Sequence, residues 1–108
     1  MTHVKVVRNR GKIQSVSCKG HTDYGVEGED IVCAAVSTVV QVGLLGLLKV
    51  AGIEVEFDRC AEDGVLEFSL PSNLTEKQAH DAEVILSTMW EGLKDLHEGF
   101  SDFIELED

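Results

Sequence analysis

The stretch IVCAAVSTVVQVGLLGLLKVAG, residues 31–52, decides the fold. Lys49 is the single charge in residues 31–51. The apolar side chains run round the whole helical circumference, so this helix has no wet face. Such a helix either spans a bilayer or is buried within its own domain. Its 21 residues are long enough to cross. Ser37, Thr38 and Gln41, and the lack of a basic cluster at either end, argue against a membrane. The expectation is therefore a helix over 31–51, packed centrally between sheet layers and stopped by Gly52 as its C-terminal cap. Gly43 and Gly46 weaken it slightly and suggest close approach of another backbone.

Before this helix, residues 3–8 carry Val4, Val6 and Val7 and read as a strand. Asn9-Arg10-Gly11 is a turn signal and residues 12–19 form the returning strand of a hairpin. Ile13 lies on one parity of that second strand and Val16 and Cys18 on the other, which suggests a bulge. Residues 20–28 form a loop containing Gly20, Gly25 and Gly28. After the helix, residues 53–58 alternate as a strand with one wet face, and residues 61–64 make a turn. Leu66, Phe68 and Leu70 form the buried face of the next strand, which Pro71 ends. A second helix opens with the capping box Thr75-Glu76-Lys77-Gln78 and closes at Gly99. Its stripe is Ala79, Ala82, Leu86, Met89, Leu93 and Leu96. Residues 102–106 can add a short last strand. The fold class is α+β, a single domain over residues 1–108, in the order β-β-α-β-β-α with a short C-terminal strand.

The chain carries 20 acidic against 9 basic residues, for a net charge of −11. Nucleic acid as a direct ligand is disfavoured, because phosphates call for Lys and Arg. A basic protein partner suits this field better. A core this thin would gain from dimerisation. Three cysteines (Cys18, Cys33 and Cys60) and no signal-peptide h-region point to free thiols in a reducing, cytoplasmic setting.

The chemistry concentrates on Cys33 and on His21, twelve positions before it. A cysteine on an apolar helix is ordinarily a small buried hydrophobe. With Asp30 as N-cap, however, Cys33 falls at the third helical position, where unpaired N–H groups and the helix dipole favour a thiolate. His21 ends a strand whose loop leads back to the helix start, and an imidazole there can act as base or pair with the thiolate. Asp30 either only caps the helix or also orients His21. Ser37, one turn after Cys33, either hydrogen-bonds the imidazole or a substrate group, or back-bonds to the Cys33 carbonyl. Cys18-x-x-His21 with Cys33 and Cys60 supplies four ligands for zinc, but there is one tight pair and Cys60 belongs to a distant hairpin, so neither metal nor cofactor is expected. Tyr24, inside the loop, is a better ligand-facing candidate than Trp90.

Gly20-His21, an eleven-residue gap, and then Cys33-Ala34-Ala35-Val36-Ser37, led into by Gly28-Glu29-Asp30-Ile31-Val32, resembles the ribosomal-processing cysteine protease family, Prp. Element order and length match over essentially the whole chain. The resemblance implies a bacterial cytoplasmic homodimer without cofactor. Such an enzyme removes an N-terminal extension from a large-subunit ribosomal protein, the twenty-seventh of its series, after a phenylalanine. It implies His21 and Cys33 as the catalytic pair, with Asp30 and Ser37 at further motif positions. The loop Thr22, Asp23, Tyr24, Gly25, Val26, Glu27, Gly28 and Glu29 would order over substrate. The competing expectation is a non-catalytic, ribosome-associated binding module in which Cys33 is structural.

Overall fold

The structure, a computed structural model, describes residues 1–20, 29–60 and 64–108. The elements are β1 (Thr2–Asn9), β2 (Lys12–Lys19), α1 (Glu29–Leu45), a π-helical turn (Gly46–Val50), β3 (Glu56–Cys60), β4 (Val65–Ser69), α2 (Glu76–Gly99) and β5 (Ile104–Glu107). The α+β order is as expected, and the tail does add a strand. The five strands form one sheet, in the order β3-β4-β2-β1-β5. All described pairings are antiparallel except β1 with β5.

The β1–β2 hairpin turns through Arg10 at φ 54° and Gly11 at φ 81°. Positive φ at both central residues suits the right-handed twist of the strands. Val7 pairs with Ser15 and Arg8 with Ile13, so Gln14 is the extra residue of a bulge. That bulge resolves the parity conflict: Ile13 and Val16 are both 2% exposed. The Gln14 side chain also donates to the Leu70 carbonyl at 2.9 Å, tying the bulge to the end of β4.

The expected placement of the long helix between sheet layers is corrected. Among the described residues the five strands make one sheet, with no second sheet layer to cover it. Val32, Val36, Val40, Leu44 and Leu47 are buried in the core. Ile31, Val42, Leu45 and Val50 remain exposed on the opposite side. Residues Ile31–Val50 do have the length and hydropathy of a bilayer span.

Gly43 and Gly46 are explained by α2, though by its side chains and not its backbone. A Cβ on Gly43 would lie 2.6 Å from Met89 Sδ, and one on Gly46 would lie 3.1 Å from Ile85 Cγ2. After Gly46 the helix hydrogen bond lengthens by one residue, so that Ala51 N donates to the Gly46 carbonyl, five positions back, at 2.9 Å. Gly52, at φ 66°, then reverses the chain as a left-handed cap.

β3 begins three residues later than the alternation suggested. Ile53 and Val55 are buried, but Ile53 N donates to the Leu47 carbonyl at 2.9 Å, so the helix end holds this segment. Phe57 continues the alternation yet is 54% exposed, because β3 is an edge strand. The capping box of α2 is formed: Gln78 N donates to Thr75 Oγ1, and Gln78 Oε1 accepts from Thr75 N. Its Ala82, Leu86, Met89, Trp90 and Leu93 are buried.

Candidate active site

The described part of α1 opens at Glu29, so Asp30 already lies within the helix and is not the N-cap. Cys33 is consequently at least the fifth helical residue, not the third, and its own N–H is no longer among the four unpaired ones.

Side chains on a helix lean toward its N-terminus, which carries the Cys33 sulfur back toward the end of β2. An ideal Cβ on Gly20 would lie 2.5 Å from Cys33 Sγ and 3.6 Å from the hydroxyl of buried Thr2. Position 20 therefore has no room for a side chain while the thiol is in place. Gly20 N in turn donates to the Gly64 carbonyl at 3.0 Å. Gly64 has φ 63°, and a Cβ there would fall 2.7 Å from the Gly20 carbonyl oxygen. Two glycines thus let the end of β2, the β3–β4 turn and the helix start converge on one sulfur.

The half-buried Cys33 opens onto a cleft of about 420 Å³. Ala34, Ser37 and Gln41 line it from α1, Cys18 from β2, Gly20 from just past its end, and Arg59, Cys60, Gly64, Val65 and Leu66 from the hairpin. Cross-strand register explains part of this wall. Cys18 pairs with Leu66, and Leu66 with Arg59, so these three share the helix-facing side of the sheet. Cys60 is not remote from Cys33, as the sequence suggested, because β4 pairs with β2 and brings β3 alongside. Among the described residues, no three His, Cys, Asp or Glu stand together as a metal site.

Cys18 is nearly fully buried, and burial pushes its thiol up to about 11, with the nearby Cys33 charge adding to the effect. Cys18 is therefore a neutral wall residue at neutral pH. Arg59, exposed on the edge strand, brings a cation to the cleft of a strongly acidic chain. It has no ion pair among the described residues.

Ser37 lies one turn beyond Cys33 and does not back-bond to its carbonyl. Its Oγ accepts from Gln41 Nε2 at 3.1 Å. The back-bond of that kind is made next door, from Thr38 Oγ1 to the Ala34 carbonyl at 2.8 Å. His21 and the loop residues Thr22, Asp23, Tyr24, Gly25, Val26, Glu27 and Gly28 lie outside the described residues, as do the side chains of Glu29 and Asp30. Sequence reasoning missed Gln41, Arg59 and Gly64 as parts of the site. Gln41 carried a local signal, a polar residue two turns after Cys33 on an apolar helix. Arg59 and Gly64 carried none, because their role depends on strand pairing.

The family model described as "Cysteine protease Prp" matches residues 1–105. A Bacillus subtilis protein named ribosomal processing cysteine protease Prp is 26% identical over 103 residues, covering 94% of this chain and 92% of that protein. A Staphylococcus aureus protein of the same name is 29% identical over 100 residues, covering 93% and 91%. The crystal structure of an S. aureus ribosomal processing protease Prp with a substrate peptide superposes with a TM-score of 0.86 at 25% identity, over 99% of this chain and 98% of that one. The same protease with a covalently linked product peptide gives 0.80 at 26% identity, over 99% and 98%. A helix-borne thiol packed against a glycine at a strand end, opening onto a peptide-sized cleft, thus coincides with a match over nearly the whole length, and the chain belongs to the Prp family of cysteine proteases.

Proposed function

We propose that this protease removes the N-terminal extension of a large-subunit ribosomal protein, the twenty-seventh of its series, in the bacterial cytoplasm, and that it works as a homodimer. Cys33 attacks the scissile carbonyl. His21 takes the thiol proton and returns it to the leaving amine, and water then releases the acyl-enzyme. The unpaired N–H groups at the start of α1 and the Ser37 hydroxyl stabilise the oxyanion. Asp30 orients the imidazole, and residues 22–29 close over the substrate.

The observation that carries this reading is the contact of Gly20 with Cys33 Sγ. Gly20 directly precedes His21, so the chain position from which the base departs lies against the nucleophile. The S. aureus relative, solved with a covalently linked product peptide, supports nucleophilic chemistry. The net charge of −11 suits a basic ribosomal protein as substrate. The exposed apolar side of the helix layer supports the dimer. For the test, a peptide spanning the junction of extension and mature protein is incubated with enzyme. The wild type cuts it after the phenylalanine and Cys33→Ala does not; cleavage by Cys33→Ala at the wild-type rate would remove the assignment.

A further inference from the structure

Cys33, Ser37 and Gln41 stand at i, i+4 and i+8 on one side of α1 and line one cleft. A serine hydroxyl has one proton to give and two lone pairs to accept with. The Gln41 amide N–H occupies one lone pair of Ser37 Oγ, at 3.1 Å. The hydroxyl proton must then turn away from Gln41. Among the described residues Ser37 Oγ gives that proton to no backbone carbonyl, unlike Thr38, whose hydroxyl is committed to Ala34. Ser37 lines the cleft one turn from Cys33, so a proton turned away from Gln41 can reach a group bound there.

We propose that Gln41 is a positioning residue: its amide makes the Ser37 hydroxyl a hydrogen-bond donor directed at the substrate carbonyl. In this role Gln41 acts through Ser37 and not on the reacting atoms. The amide also narrows the hydroxyl's rotational choice to the two remaining staggered positions, so the donor is partly set before the substrate arrives. The proposal rests on the reading of Cys33 as nucleophile and of Ser37 as an oxyanion donor.

Gln41→Glu separates this role from packing. Glutamate has nearly the shape of glutamine, but its carboxylate only accepts, so it draws the Ser37 proton to itself and takes the donor out of the cleft. The expected result is a kcat lower by about tenfold or more, with KM within about twofold. Gln41→Leu, which frees the hydroxyl to rotate, should fall between Gln41→Glu and wild type. In a Ser37→Ala background neither change should lower kcat further. The same order should hold for affinity toward a peptide aldehyde, whose adduct oxygen occupies the oxyanion position. Wild-type kcat in Gln41→Glu would overturn the proposal, as would an undiminished loss in the Ser37→Ala background, which would mark a charge effect on the thiol. Wild-type protein inert toward both peptide and aldehyde would instead overturn the protease reading itself.

Discussion

Gly20→Ala is the sharpest test of the site's geometry. The added Cβ would stand 2.5 Å from Cys33 Sγ. Non-bonded heavy atoms sit best at roughly 3.5–4.0 Å, so sulfur or strand must move by about 1 Å. Gly20 is not among the positive-φ glycines, so alanine meets no backbone strain there. Its N–H also keeps the bond to Gly64, leaving steric displacement of the thiol as the whole effect. A misplacement of about 1 Å at a reacting group costs on the order of 100-fold in rate, or about 2.7 kcal/mol of barrier. Overpacking adds roughly 1–3 kcal/mol of lost stability. The assay is kcat/KM on the junction peptide beside thermal unfolding, with Gly99→Ala as control, because nothing lies within 4 Å of a Cβ there. A Gly20→Ala enzyme with kcat/KM within about threefold of wild type would refute the claim that this glycine makes room for the nucleophile.

Cys18 makes a prediction about stability at high pH. Its thiol is pushed from 9.0 to about 11, so the folded protein keeps a proton that the unfolded chain loses. The associated stability is fully present below pH 9 and is lost as pH rises through about 11, some 2–3 kcal/mol in all. Urea unfolding at several pH values should show wild type losing more stability across that window than Cys18→Val; parallel losses would contradict it. For the dimer, sedimentation at micromolar concentration should give twice the 11.8 kDa chain mass, and a monomer would remove that proposal.

Local patterns carried most of the elements. Period-2 alternation gave β2 and β4, and the conflict between Ile13 and Val16 gave the bulge at Gln14. Thr75 and Gln78 gave the start of α2, because a capping box is complete within four residues. The π-turn after Gly46 was not legible, since it follows from how α1 packs on α2. Neither was the start of β3: burial of Ile53 and Val55 looks the same in a strand as in a segment pinned to a helix end. Asp30 was read as the cap but lies within the helix, because cap and first turn draw on the same residue types.

By itself the sequence determined that a strand would end at Lys19, just before Gly20, and that Cys33 would lie in the first turns of an apolar helix. Both follow from short-range periodicity and glycine placement. Tertiary structure decided what surrounds the sulfur. Whether β4 pairs with β2 depends on burying Leu66 and Phe68 against residues some fifty positions away, and no local window contains that balance. The pairing brings Gly64 against Gly20 and puts Arg59 and Cys60 on the cleft wall. It turns a thiol and a glycine, read separately, into one steric unit.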